Sequence, residues 1–377
     1  MQPADTSRQY RNLVESLLIG GIGGLALNAA KFPAGWLAGA MLFTAVAALL
    51  GRPISVPQPL ARAFFIILGI SIGGVVTPET VKGVSAWPFS LFMISVAMAG
   101  VTLGTVTYLT KVHGWNTITA VFAGVPGGLS QVMALATEQK DCDVRGVAIV
   151  QTLRVVILAI GVPAVLSAFG IAGPARLPAG ALGIADAPLQ FALLVGGCVA
   201  AALGLLKLGF PGGLIFGPMV LSAVLHGGAF VSVTMPFWLA SASMVGLGAV
   251  SGARFTGTPF RLMLSYLGAG FGAFVVSLVI AGAVGGIVTA TVSLPLADVI
   301  VAYAPGSVDA MMILALALHL DPVFVGAHHL TRVFVVSLAL PVLSHYFGRP
   351  RRNPGDGGAA VLPSGNRLDD RSPSQRG

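Results

Sequence analysis

The chain has 377 residues, of which 55% are hydrophobic and only 9% are charged. A soluble domain carries about a quarter charged residues, so this composition excludes a soluble enzyme, a secreted domain and a DNA-binding module. The net charge of +8 does not indicate nucleic-acid binding, because most Lys and Arg residues lie in short loops or near the C-terminus, as membrane topology requires.

Long apolar stretches separated by short polar breaks predict many membrane helices. In the first half they lie near 14–30, 34–51, 62–77, 87–110 and 146–170; in the second half they lie near 190–206, 212–226, 236–253, 262–290 and 323–346. Each half also contains a Pro-Gly segment, at 115–139 and 299–320. The predicted fold class is an all-α polytopic membrane protein.

The membrane region is an internal duplication with an offset of 178 or 179 residues, in which Pro33 matches Pro211 and Arg154 matches Arg332. The N-terminal apolar run also recurs in the second half, so we predict a first membrane helix there rather than a cleaved signal. The predicted parts are a cytoplasmic N-terminus (1–12), a first membrane repeat (13–171), an inter-repeat loop (172–189), a second membrane repeat (190–346) and a disordered cytoplasmic tail (347–377).

The topology depends on whether the two Pro-Gly segments are re-entrant hairpins or full spans, and loop charges discriminate between these alternatives. Five spans and one re-entrant hairpin per half make inverted repeats, with thirteen Lys or Arg residues inside and three outside, namely Lys31, Lys82 and Arg176. Six spans per half make parallel repeats, with nine inside and seven outside. The charges favour inverted repeats in a bacterial inner membrane, with both termini cytoplasmic.

The first Pro-Gly segment contains a predicted helix break. Proline and paired glycines stop a helix at Pro126, Gly127 and Gly128, and a new helix would start near Gly128 with Ser130 and Gln131 in its first turn. The start of a helix exposes unpaired N–H groups and positive dipole, which suits an anion. The alternative is a simple kink of a membrane helix.

The second Pro-Gly segment repeats this break at Pro305, Gly306 and Ser307, and places Asp309 where the first half has Ser130. Paired broken helices meet at the midplane of many inverted-repeat transporters and form the substrate site. Recurrence in both halves therefore favours a substrate-binding role over a kink.

Two buried arginines also recur. Gln151 and Arg154 share one helix face, and His329 and Arg332 repeat the arrangement. An arginine inside an apolar helix costs about 3 kcal/mol on insertion scales, so it should face a partner or a cavity. We predict that these four side chains bind an anionic group; the alternative is a structural ion pair with a nearby aspartate.

The acidic residues have different predicted roles. Asp143 and Asp321 each precede the helix that carries a buried arginine, so both are predicted N-caps. Asp309 lies inside an apolar segment, where it could carry a proton, bind a cation or form a salt bridge with Arg332.

No cofactor, metal site or catalytic residue is predicted. Six scattered histidines and two distant cysteines do not supply the clustered ligands that copper or iron chemistry needs. The predicted partners are the lipid bilayer and a small, anionic solute, without direct nucleic-acid binding. The Gly35xxxGly39 pattern and its copies could pack helices within one chain or form a homo-oligomer.

The paired motifs Pro126-Gly-Gly-Leu-Ser-Gln…Asp143-Val-Arg…Gln151-Thr-Leu-Arg154 and Pro305-Gly-Ser-Val-Asp-Ala-Met…Asp321-Pro-Val-Phe-Val…His328-His-Leu-Thr-Arg332 resemble the bacterial AbrB-type integral membrane family. The resemblance covers residues 13–346 and implies a duplicated membrane domain. It also implies the labels given to members, which are regulator of gene expression and ammonia monooxygenase. The sequence departs from the family pattern at Gln131, Ser307 and Asp309, so the resemblance does not support an acidic role in the first hairpin.

The leading functional hypothesis is a secondary transporter-like carrier that works by alternating access around a midplane site. The alternative is a membrane sensor that affects gene expression through a partner, because no DNA-binding or kinase domain is visible. A membrane monooxygenase is not expected, because the metal-ligand residues that it needs are not clustered.

Overall fold

The computed structural model describes residues 6–76, 87–126, 129–171, 182–210 and 212–347. The first half of this described chain contains α1 (Thr6–Ala29), α2 (Gly35–Leu49), α3 (Gln58–Gly73), α4 (Trp87–His113), α5 (Thr117–Gly124), α6 (Leu129–Glu138) and α7 (Val144–Ala168). The second half contains α8 (Pro188–Lys207), α9 (Gly213–Gly227), α10 (Phe237–Gly252), α11 (Phe260–Thr291), α12 (Leu296–Tyr303), α13 (Val308–Ala317) and α14 (Pro322–Phe347).

All ten predicted apolar segments are helical, which confirms the all-α membrane fold class. The two halves contain corresponding helices in the same order, and four of the corresponding pairs have equal lengths. Helices α2 and α9 have 15 residues each, α3 and α10 have 16, α5 and α12 have 8, and α6 and α13 have 10. Helix α1 begins at Thr6, so residues 6–12, predicted as an N-terminal segment, continue the first helix. The predicted tail beyond residue 347 and residues 172–181 of the predicted loop lie outside the described residues.

Six described helices are long and apolar enough to cross a membrane by length and composition: α1, α4, α7, α8, α11 and α14. Helices of 15 or 16 residues rise about 22–24 Å at 1.5 Å per residue, which is less than the hydrocarbon thickness of about 30 Å. The six long helices indicate a membrane protein. Because the four shorter helices do not reach across the hydrocarbon core, the count of ten complete crossings stays a prediction.

The helices pack as two bundles that each take members from both halves. Helices α1–α3 and α8–α10 form the first, called here the scaffold bundle, and helices α4–α7 and α11–α14 form the second, called the hairpin bundle. In the scaffold bundle the partners are exchanged, because α2 packs on α10 and α3 packs on α9. In the hairpin bundle, α4 packs on its counterpart α11. Contacts between the bundles are sparse and run mainly through α13, α14 and α7.

Glycines let the scaffold helices approach closely. A Cβ atom on Gly39 would meet the main chain of Gly23, and a Cβ atom on Gly217 would lie 2.8 Å from the main chain of Ala201. The Gly35xxxGly39 pattern and its copy at Gly213xxxGly217 therefore pack helices within one chain.

Candidate functional site

Each Pro-Gly segment forms a hairpin of two short helices whose ends are joined. In the first hairpin (α5 and α6), the Asp143 N–H donates to Thr119 Oγ1 (2.9 Å), and the Asn116 amide donates to the Asp141 carbonyl. In the second (α12 and α13), the Asp321 N–H donates to Asp298 Oδ1 (2.7 Å). Each hairpin therefore begins and ends beside the start of the long helix that follows it.

The two aspartates predicted as caps bond to the first turns of these long helices. Asp143 Oδ1 accepts from the Gly146 N–H at 3.1 Å. Asp321 Oδ1 accepts from the N–H groups of Val323 (3.0 Å) and Phe324 (3.1 Å). These bonds satisfy donors that the start of a helix leaves unpaired.

The helix breaks lie at the turns of the hairpins. Helix α5 ends at Gly124 before Pro126, and α6 starts at Leu129, so Ser130 and Gln131 lie in its first turn. Gly127 and Gly128 are outside the described residues. In the second hairpin, α12 ends before Pro305 and Gly306, and Ser307 caps α13 by accepting from the Ala310 N–H (3.4 Å). Asp309 lies in the first turn of α13.

In the first half, Gln151 and Arg154 on α7 bond to the turn of their own hairpin. Arg154 donates from Nη1 to the Gly124 carbonyl (3.2 Å) and from Nη2 to the Val125 carbonyl (3.3 Å). Gln151 donates from Nε2 to the Phe122 carbonyl (2.7 Å). These acceptors belong to the last residues of α5 and to Val125, which follows it. The end of a helix leaves such carbonyls without partners in the helix.

In the second half, His329 and Arg332 on α14 make equivalent bonds. Arg332 donates from Nη1 to the Ala304 carbonyl (2.8 Å) and from Nη2 to the Gly306 carbonyl. His329 bonds through Nε2 to the Val301 carbonyl (3.1 Å) and through Nδ1 to Arg332 Nη2 (2.6 Å). Because Arg332 can only donate, these contacts require a neutral His329 with its proton on Nε2.

The two arginines thus clamp the hairpin turns through main-chain carbonyls, and neither is paired with a carboxylate in the described part of the chain. Their side chains are only 4% and 2% exposed, both Nε atoms have no partner among the described residues, and the two charges are close enough to interact. The negative end of a half-helix compensates part of each charge. The predicted anion-binding role of Arg154 and Arg332 stays a prediction.

Sequence analysis did not single out Arg254, which follows α10. Together with Ser307 and Asp309, its side chain lines a small cavity of about 20 Å³, here called the inner cavity. Arg254 is exposed and Asp309 is half-buried, and their opposite charges attract each other without direct contact. The charged neighbour of Asp309 is therefore Arg254 rather than Arg332. The signal was weak, because Arg254 resembles an ordinary loop charge.

A second cavity, of about 360 Å³, is here called the outer cavity. Residues of α2, α3, α10 and α13 line both cavities. The lining of the outer cavity includes Trp36 of α2, Met244 of α10 and Leu316 of α13, whereas the inner cavity is lined further along these helices. One apolar cluster lines both cavities: its residues Leu37, Leu247 and Ile313 face the inner cavity, and Met244 faces the outer one. The scaffold bundle supplies α2 and α10, and the hairpin bundle supplies α13, so both cavities lie where the bundles meet.

His328 links two helices of the hairpin bundle. It is fully buried and bonds to Ser90 Oγ on α4 (2.8 Å) and to the Phe324 carbonyl (2.8 Å). Within the described ranges, no group of three or more His, Cys, Asp or Glu residues could hold a metal ion.

The chain is similar to known proteins over most of its length. Residues 36–348 match the family described as Transition state regulatory protein AbrB. "Uncharacterized protein YhjN" of Bacillus subtilis (strain 168) is 24% identical over 379 residues, which cover 91% of this chain and 97% of the relative. "Putative regulator AbrB" of Escherichia coli (strain K12) is 24% identical over 363 residues, which cover 90% and 97%. Because the family match spans most of its length, the chain belongs to the AbrB family of membrane proteins.

Proposed function

We propose that this protein is a secondary transporter-like carrier of a small solute that bears an anionic group. The observation that carries the proposal is the alignment of two cavities along α2, α10 and α13, beside the turn of a broken helix. Irregular backbone at membrane depth is tolerated only where it is buried in protein or lines a watery cavity. Broken helices whose ends line such a cavity are the usual binding elements of secondary transporters.

In this proposal the solute passes between the bundles. It enters the outer cavity, crosses the apolar cluster and reaches polar groups at the turn of the second hairpin. In the described arrangement the apolar cluster would close this path, so passage would require α13 to separate from α2 and α10. Arg154 and Arg332 act as positioning residues, because their bonds hold the hairpin turns to α7 and α14.

We also propose the inverted topology in the inner membrane, with cytoplasmic termini. Three observations support it. Each hairpin has its two ends side by side, as a re-entrant segment requires. Thr256 donates to the Ile54 carbonyl (3.0 Å), and residues 28–36 and 234–237 line one cavity. Parallel repeats would instead place the two ends of each hairpin on opposite sides of a bilayer core about 30 Å thick. They would separate Thr256 from Ile54, and residues 28–36 from residues 234–237, in the same way.

Uptake into proteoliposomes tests the carrier proposal. The purified full chain would be reconstituted and exposed to radiolabelled acetate, succinate, phosphate, alanine and glutamate, with empty liposomes as the control. We expect uptake of one solute class above the empty liposomes, and a matching concentration-dependent rise in the thermal unfolding midpoint, because a ligand that binds the folded state stabilises it. If a well-folded sample shows neither uptake nor stabilisation with any of these solutes, the carrier proposal is contradicted.

The path itself predicts labelling from opposite sides. In a variant with Cys142 and Cys198 replaced by serine, we expect Leu316→Cys to react with an impermeant maleimide only from outside, because Leu316 lines the outer cavity. Arg254→Cys, at the exposed edge of the inner cavity, should react only from the cytoplasmic side. Ala249→Cys is the control, since Ala249 is fully buried and should not react. Reaction of both cavity positions from one side would contradict the path and the topology.

The alternative function is a membrane sensor that affects gene expression through a partner, and the regulator name of the Escherichia coli relative favours it. A sensor would bind its solute without moving it. Stabilisation by a solute without uptake, together with loss of a regulatory phenotype on deleting residues 348–377, would favour this alternative over transport.

A further inference from the structure

We propose that the solute is a small zwitterion of the amino-acid type, held between Arg254 and Asp309 in the inner cavity. The inference rests on the proposed carrier function and names the solute class of that path. In the bound state, Arg254 would bind the carboxylate of the solute and Asp309 would bind its ammonium group. Ser307, which lines the same cavity, would supply a hydroxyl group.

The arrangement of the two charges carries the inference. Arg254 and Asp309 line one cavity and attract each other, yet they form no ion pair in the described structure. Their side chains are accessible rather than sealed. A solute with opposite charges a few bonds apart can fill such a gap with one charge-assisted hydrogen bond of about 2.8 Å at each end.

The charges of Arg254 and Asp309 favour a zwitterion over a simple anion or a simple cation. A simple anion would gain the attraction of Arg254 but would meet the repulsion of Asp309, and a simple cation would meet the reverse. A zwitterion offers an opposite charge to each of the two groups and leaves the site neutral. The other walls are apolar and include Leu37, Leu247 and Ile313, which suits a short aliphatic side chain.

The first half lacks this pair at the matching positions of the sequence. At the offset of 179 residues, Arg254 corresponds to Val75 and Asp309 corresponds to Ser130 in the first half. The duplication therefore does not produce two equivalent binding sites, and one zwitterion per chain is expected. The inner cavity has room for about one water molecule in the described arrangement, so binding also requires α13 to move away from α10.

The test compares alanine with two analogues that each carry only one of its charges. Thermal unfolding of the full chain in detergent would be measured with L-alanine, with propionate, which has only the carboxylate, and with ethylammonium, which has only the cation. Uptake of radiolabelled L-alanine would be measured in parallel. We expect alanine to stabilise the protein and to be taken up. Propionate or ethylammonium alone should need a concentration at least about tenfold higher for the same stabilisation, since one charge-assisted bond is lost.

Two variants probe the two charges. Arg254→Gln and Asp309→Asn should each weaken alanine binding by about tenfold or more, and Arg254→Lys should retain part of it because the charge remains. Arg62→Gln, an exposed arginine on α3 that contacts Gln58, is the matched control and should bind alanine normally. Unfolding midpoints without solute show whether each variant folds.

The outcomes separate this inference from the carrier proposal. Strong stabilisation by propionate that increases in Asp309→Asn would show a simple anion site and overturn the zwitterion, while the carrier would stand. Alanine binding that survives in both Arg254→Gln and Asp309→Asn would place the site elsewhere and also overturn it. Failure of every solute in the uptake panel would instead remove the carrier proposal.

Discussion

Replacing Arg332 with leucine is expected to destabilise the protein by about 2–6 kcal/mol, because it leaves two buried acceptors without donors at about 1–3 kcal/mol each. Those acceptors are the Gly306 carbonyl at the turn of the second hairpin and Nδ1 of His329. The Ala304 carbonyl would lose one bond but would keep the Gly306 N–H as a donor at 2.8 Å. The substitution does remove a buried charge and its repulsion with Arg154, but these gains do not restore the lost bonds.

The measurement is the unfolding midpoint in detergent, together with the yield of monodisperse protein. Arg62→Leu is the control, since it removes an arginine from an exposed position and should have little effect. Arg332→Lys should be intermediate, because lysine keeps the charge but lacks the fork that reaches two carbonyls. A stable Arg332→Leu protein that has lost only its response to solute would contradict the clamp and support direct anion binding by the guanidinium.

The second large effect is expected at the contact between α1 and α2. Gly23→Ala places a methyl group against the Gly39 carbonyl and 2.6 Å from Phe43 Cγ. The main chain of the neighbouring helix cannot move aside like a flexible side chain, so the helices must separate. Overpacking a close contact costs about 1–3 kcal/mol or more, and we expect a lower unfolding midpoint and less folded protein in the membrane.

Gly21→Ala provides a matched control on the same helix. A Cβ atom on Gly21 has no atom within 4 Å, and alanine favours helix over glycine by about 1 kcal/mol. This variant should be neutral or slightly more stable than the parent. Equal destabilisation by both substitutions would show that helix α1 needs glycine for a reason other than its contact with Gly39.

The fold was largely predictable because membrane helices follow from apolar length alone. The break residues were also visible, since Pro126 and Pro305 interrupt otherwise apolar segments. The exchange of helix partners between the halves was not predictable, because periodicity indicates which segments are helical but not which helices touch. Helix α1 starts earlier than its apolar run, because a helix can continue beyond the segment that hydrophobicity marks.

The candidate site was predictable only in part. The recurrence of Arg154 and Arg332 identified residues that bond to the hairpin turns, but a buried arginine can be satisfied by carbonyls as well as by a ligand, and sequence does not distinguish these. Arg254 was missed because its relation to Asp309 depends on how α13 packs beside α10. Asp298 was not singled out either, although it accepts the Asp321 N–H and so closes the second hairpin at its base.

The exchanged partners of the scaffold bundle also bear on how the chain is made. Helices α2 and α3 complete their packing only against α10 and α9. The ribosome synthesises α9 and α10 more than 130 residues after α2 and α3, at about 5–20 residues per second. For several seconds, then, the small-residue faces of the N-terminal half lie unpaired in the bilayer. Biogenesis therefore depends on the second half reaching the first soon after insertion, and a half expressed alone should be degraded unless the other half is supplied with it.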